Sequence, residues 1–153
     1  MRTIAVLALM TVTPAMAQTC PAPAGWDKPA KHLAARVPDM KFALATGTTT
    51  QIELRAASDV NFAVAEREPK PRTSAGLAAL DVPKAGKLDV ILSNATFVNL
   101  VRDGATLKST GHNDLKTCAG FRKSVSFDVT PGRYIVQLTN APERTVKMAT
   151  VLN

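Results

Sequence analysis

The chain has 153 residues, 46% of them hydrophobic and only 5% aromatic, with 19 Lys and Arg against 12 Asp and Glu for a formal net charge of +7. The basic residues form no run and the aromatics that could stack bases are few, so nucleic acid is excluded as an expected partner. Scattered charge is the pattern of a solvated surface, and an acidic envelope surface is the partner class it would favour.

Arg2 is followed by an apolar stretch from Ile4 to Met10 and by Ala15-Met16-Ala17, an A-x-A cleavage pattern, so residues 1–17 read as a secretory signal and the mature chain is expected to begin at Gln18. Cys20 follows Ala17-Gln18-Thr19 and lacks the lipoprotein context, which places the expected product in the periplasm or outside the cell. No stretch approaches the roughly 20 apolar residues that a transmembrane helix needs. Beyond the signal, the chain is the size of one domain with one core.

Residues 18–39 form a lead-in interrupted by Pro21, Pro23, Pro29 and Pro38, with room for one or two helical turns between Lys28 and Arg36. Trp26, the single tryptophan, is expected to anchor this segment on the domain, with a ligand-stacking platform as the alternative.

Residues 40–153 read as strands throughout. Thr49 to Ala56 alternates, with Ile52 and Leu54 on one face and Gln51, Glu53 and Arg55 on the other, the pattern of an outer strand with one wet side. Val60, Phe62 and Val64 make a further inward series, and the charged, proline-broken run from Glu66 to Arg72 reads as a solvated excursion. Two stretches then nearly match: Ala85-Gly86-Lys87-Leu88-Asp89-Val90-Ile91-Leu92 and Pro131-Gly132-Arg133-Tyr134-Ile135-Val136-Gln137-Leu138. Each is preceded by a short echo, Leu80-Asp81-Val82 or Phe127-Asp128-Val129, so the unit is strand, glycine turn, strand. Asp103-Gly104 between strand-like runs predicts a hairpin, whereas Thr110 to Gly120 lacks periodicity and reads as a long loop. Thr145 to Leu152 closes the domain. About 9 or 10 short strands at this spacing predict an all-β antiparallel sandwich of jelly-roll type, and no connection could hold the crossover helix of a parallel α/β sheet.

Cys20 and Cys118 are the only cysteines, and an even pair in an exported chain predicts a disulfide. The segment around Cys118 is also the one place where His, Asp and Cys gather. His112 and Asp114, with His32 reaching in from the lead-in, make a candidate metal or ligand site, set against a plain polar loop turned at Asn113-Asp114. No serine lies in a G-x-S-x-G elbow, no glycine-rich phosphate loop occurs, and Asp89 and Asp128 read as solvent-facing strand carboxylates, so no catalytic residue is assigned.

The motifs V-x-F-x-V, A-G-K-L-x-V-x-L, V-R-D-G, H-x-D-x-x-x-C and F-x-V-T-P-G-R-Y-x-V-Q-L, running from Gly47 to Leu152, resemble a family of short exported alphaproteobacterial proteins, some of which carry the name homogentisate 1,2-dioxygenase. The P-G-R-Y-x-V-x-L module is also similar to the bacterial pre-peptidase C-terminal domain, a small β-sandwich. The dioxygenase name implies ferrous iron, with His32, His112 and a carboxylate such as Asp114 or Glu53 completing a facial triad and an aromatic substrate, although the chain lacks a cupin-like H-x-H. The residues themselves lead instead to a non-enzymatic exported sandwich that needs no cofactor and binds an envelope component, a protein partner or a small ligand. A carbohydrate-binding module is a third alternative, for which one Trp and one Tyr are few platforms.

Overall fold

The computed structural model of the protein describes Pro14 and residues 17–65 and 69–153. The signal read at residues 1–17 therefore lies almost wholly outside the described residues, as does the start of the charged excursion at 66–68.

Period-2 alternation becomes strand along nearly the whole domain. Among the described residues the strands are β1 (Ala30–Leu33), β2 (Ala43–Ala45), β3 (Thr49–Glu53), β4 (Arg55–Ala56), β5 (Ser74–Val82), β6 (Gly86–Leu92), β7 (Phe97–Arg102), β8 (Ala105–Thr106), β9 (Ser109–Asp114), β10 (Lys123–Val129), β11 (Gly132–Ala141) and β12 (Thr145–Leu152), with a 3-10 turn at Ala57–Asp59. They form two packed sheets. The first runs β1-β3-β12-β6-β10-β9 and the second β2-β5-β11-β7-β8, with β4 also paired to β5. Within these, β3-β12-β6-β10 faces β5-β11-β7-β8, which is the order of a jelly roll. The expected antiparallel pairing holds in the interior but not at one edge of each sheet, where β1 pairs with β3 and β2 with β5 in parallel.

The two matching sequence stretches prove to be arches. β5 and β6 are consecutive yet lie in different sheets, as do β10 and β11, so each glycine turn carries the chain across the core rather than back along one sheet. Gly86 allows close approach: a Cβ there would collide with the carbonyl oxygen of Asn153. Across the second arch the Tyr134 hydroxyl donates to the Thr130 carbonyl (3.0 Å) and accepts from the Thr130 N–H (3.1 Å) and from Arg102 (3.1 Å). A buried phenol thus ties off the turn it follows. The Asp103-Gly104 pair, by contrast, makes the expected hairpin. Its two residues have φ of 51° and 74°, as a two-residue turn between β7 and β8 requires.

The main core unites the inward stripes of both sheets: Ile52 and Leu54, Leu88, Val90 and Leu92, Val125 and Phe127, and Tyr134, Val136 and Leu138. Val60 and Phe62, expected in that core, are not part of it. They belong to a second cluster with Leu77, Ala79, Val101 and Ile135 on the outer face of the second sheet, and residues 60–64 form a covering segment rather than a strand. Gln137, fully buried on β11, fixes this cover. Its carbonyl accepts the N–H groups of Ala63 (2.9 Å) and Val64 (3.2 Å) while its amide donates to the Val64 carbonyl (3.0 Å).

Three further expectations are corrected. The Lys28–Arg36 span holds β1 and an Ala35–Leu77 bridge instead of helical turns, because both lie beside a strand whose edge groups need partners. The Thr49–Ala56 strand is not outermost; β1 covers it, and the chain passes at Leu54 from the first sheet to the second. Half of the Thr110–Gly120 loop is β9, an edge strand whose exposure relieves it of any need to alternate.

Replacing Gln137 by methionine keeps the volume but leaves the two N–H groups and one carbonyl of residues 63–64 without their partner. Chemical denaturation should show a loss of about 1 to 3 kcal/mol. A loss under about 0.5 kcal/mol would mean that the apolar contacts alone hold the cover.

Candidate functional site

The first sheet also has an apolar outer stripe. Ile91 on β6 and Ala149 on β12 point away from the core, and with Leu115 and Cys118 they form a third buried cluster against which Trp26 and Phe121 pack. The lead-in supplies the lid. Trp26 stacks on Phe121 with centroids 4.3 Å apart, and Lys147 of β12 both covers the indole face at 5.3 Å and donates to the Trp26 carbonyl (3.2 Å). The Thr49 hydroxyl donates to the Ala24 carbonyl (2.6 Å). Cys20 and Cys118 are disulfide-bonded, their Cα atoms 5.5 Å apart. Gln18 completes the attachment, donating to the Asp114 carbonyl (2.8 Å) and accepting from the Thr117 hydroxyl (3.2 Å).

The lid covers only the apolar part of the face. Beyond it lies an open groove of about 410 Å3, walled by residues 18–21 and floored by Lys87, Asp89 and Ile91 of β6, Ser124 of β10, Asn113 of β9 and Leu115. Asp89 is held in place by the Ser126 hydroxyl (2.5 Å) and the Asn153 side-chain amide (3.0 Å), and the Asn113 amide donates to the Ser124 hydroxyl (3.4 Å). A smaller hollow of about 260 Å3 sits at the β1 edge, lined by Lys31, His32, Leu33, Gln51, Glu53 and Thr145.

The predicted site residues fall in different places. Cys20 and Cys118 meet as expected, and Trp26 sits as the anchor of the lead-in. His32 and His112 do not meet. They lie on β1 and β9, the two opposite edges of the first sheet, five interstrand steps of about 4.8 Å each and so roughly 24 Å apart. Asp114 is engaged elsewhere: its carboxylate accepts from the Lys116 N–H (2.9 Å) and pairs with the Lys116 ammonium (3.3 Å) and with Arg122 (3.3 Å). The Lys116 amide above all, with these two cations, holds its carboxyl below the ordinary aspartate range. Glu53 lies on β3, beside His32's strand and far from His112. The iron triad implied by the dioxygenase resemblance is therefore not assembled, and among the described residues no group of three or more His, Cys, Asp and Glu could hold a metal.

Sequence reading missed the groove, although its floor was visible as the outward phase of the first repeated module, Lys87, Asp89 and Ile91. No pattern could show that Gln18 to Pro21 would build a wall beside them. No helix among the described residues is long and apolar enough to cross a membrane. No family model matches the chain, and no curated protein matches it either.

The disulfide and the Asp114 contacts each have a measurable consequence. Closure of a 98-residue separation by the disulfide should contribute about 4 to 5 kcal/mol in the chain-entropy view, so the melting temperature should drop with dithiothreitol and stay unchanged with EDTA. A drop with EDTA, with stoichiometric iron in the untreated protein, would restore the metal reading. The second consequence concerns acid. A carboxylate whose folded pKa is depressed contributes above its unfolded value and ceases to contribute as pH falls through the lower, folded one. The Asp114 carboxyl should titrate below 3.8 by NMR, and the Lys116 amide should lose its protection from exchange only through that same step. A midpoint at or above 3.8 would show that these contacts do not hold in solution.

Proposed function

We propose that this chain is an exported, non-enzymatic β-sandwich protein whose groove beside the lead-in holds a small polar ligand from the cell envelope. The observation that carries the reading is the groove itself, about 410 Å3 with an ordered polar floor and a wall attached by a disulfide. That size suits a small molecule. Export is supported by the A-x-A pattern ending at Ala17, by the disulfide, which persists in oxidising compartments, and by the resemblance to short exported proteins. The non-enzymatic part is supported by the lining. Its ionisable side chains are one amine and one carboxylate, and its cysteine is bonded to another, so the described lining contains no imidazole base and no thiolate nucleophile.

Protein exported by its own signal should have an intact mass that begins at Gln18; a retained Met1 or a lipid on Cys20 would contradict export in soluble form. Labelled with nitrogen-15 and titrated with amino acids, short peptides, oligosaccharides and phosphorylated headgroup analogues, it should show movement of the Lys87, Asp89, Asn113 and Ser124 amides with one class. Asn113→Trp, which fills the groove from the exposed edge strand, should abolish that response without lowering the melting temperature by more than a few degrees. Saturable shifts confined to another surface would overturn the reading.

A further inference from the structure

We propose that the ligand of this groove is a zwitterionic peptide of dipeptide length, lying along β6 with its α-carboxylate at Lys87 and its α-ammonium at Asp89. The proposal rests on the groove being the binding site, and it goes further by naming the ligand class.

Lys87 and Asp89 are two residues apart on one strand, so their side chains leave the sheet on the same face, and both line the groove. They are opposite charges that do not neutralise each other: neither takes part in any ion pair among the described residues, and the carboxylate opposite Lys87 on β10, Asp128, is exposed, makes no ion pair with it and lies outside the groove lining. Lys87 is exposed, whereas the Asp89 carboxylate is fixed from two sides by Ser126 and Asn153. The backbone of Asn153 is in turn paired with that of Lys87, through N–H to carbonyl bonds of 2.9 and 3.1 Å in the two directions. The strand therefore sets the Cα atoms of the cation and the anion two residues apart, with the carboxylate fixed and the ammonium free to range about that spacing. A ligand that satisfies both must carry the opposite pair.

The spacing selects its length. Two residues of strand advance about 6.6 Å, and an extended dipeptide separates its own termini by the same two-residue step. A free amino acid holds its ammonium and carboxylate only about 3 Å apart, and an extended tripeptide exceeds the spacing by about 3.3 Å. The lysine stem can absorb part of either mismatch, so length should be graded rather than absolute. The rest of the lining fits small side chains. The Ser124 hydroxyl and the Asn113 amide lie in register with Ile91, beyond Asp89 along the strand, where together with Leu115 they meet the side chain next to the ligand's ammonium, and the lining has no aromatic surface.

The test uses the mature, disulfide-bonded chain and alanyl-alanine as the probe, with N-acetyl-alanyl-alanine, alanyl-alanine amide, alanine and trialanine as comparators. Calorimetry and nitrogen-15 spectra should show alanyl-alanine moving the Lys87, Asp89, Asn113 and Ser124 amides. Each singly blocked derivative should bind about ten-fold more weakly or worse, with alanine and trialanine between. Lys87→Met should erase the preference for the free carboxylate over its amide, and Asp89→Asn the preference for the free amine over its acetylated form. Each variant should keep the wild-type melting temperature to within a few degrees, since Lys87 is exposed, the asparagine oxygen still accepts from Ser126, and the exposed Asn153 amide can flip to accept from the asparagine nitrogen. Blocked derivatives that bind as well as the parent, or shifts that map outside the groove, would overturn the proposal. If an oligosaccharide or headgroup analogue moves the groove amides and no peptide does, the dipeptide proposal falls and the groove remains a binding site. If no compound of either set moves them, both fall.

Discussion

Both sheets of this sandwich carry apolar residues on the face that points away from the core, and covering those two faces is the constraint on which the rest of the chain depends. An antiparallel sheet with one wet face would put polar residues at every outward position. Here the outward positions include Ile91 and Ala149 on the first sheet and Leu77, Ala79, Val101 and Ile135 on the second. Left bare, they would form the contiguous apolar patches that soluble proteins rarely expose. The lead-in covers one face and residues 57–64 the other, so the molecule is a two-sheet core with an added irregular layer on each side.

The two covers are fastened by different means, and their sequences account for the difference. Residues 60–64 contain no proline and can offer N–H groups, so backbone hydrogen bonds fasten them: three to the buried side chain of Gln137 and one from the Asn61 N–H to the Arg36 carbonyl (2.7 Å). The lead-in has prolines at 21, 23 and 29 and is poor in backbone donors where it crosses the sheet's outer face. Ahead of β1, which pairs its backbone with β3, it is held instead through side chains and carbonyls: a disulfide, the Trp26–Phe121 stack, the amide of Gln18, and donors from Thr49 and Lys147 that reach up to its carbonyl oxygens. A disulfide acts on the unfolded chain as well, which suits a segment too irregular to nucleate structure of its own.

The strands of the core were legible because alternation reports burial on one side, and the inward stripes of β6, β10 and β11 follow it up to the irregularity at Asn140, beyond which Ala141 enters the core. Connectivity was not legible, since a glycine turn between two strands looks alike whether it closes a hairpin or arches across a core; only the Asp103-Gly104 pair carries local chemistry that decides. Val60, Phe62 and Val64 alternate and still form no strand, because a segment lying flat on an outer face also buries every second side chain. The missed β1 and β9 share a cause: an edge strand is specified by the partner beside it more than by its own residues. The outward Ile91 and Ile135 were a sign in the sequence that the outer faces are covered, since a wet face would not place isoleucine there.

That same logic locates the groove. On the first sheet the outward residues change from apolar to polar on passing from Ile91 to Asp89 along β6, and from β12 across to Ser124, Ser126 and Asn113 on β10 and β9. The lead-in follows the apolar part and stops adding cover where the polar part begins, so its own edge becomes a wall and the polar residues become a floor. Polar residues on a bare sheet face would ordinarily be mobile and hydrated. Here the carboxylate of Asp89 is bonded at both oxygens and the hydroxyl of Ser124 is bonded to Asn113, which lowers the ordering cost a ligand would otherwise meet on binding. Lys87 is exposed and makes no ion pair among the described residues, so it is the one mobile charge over an otherwise set floor.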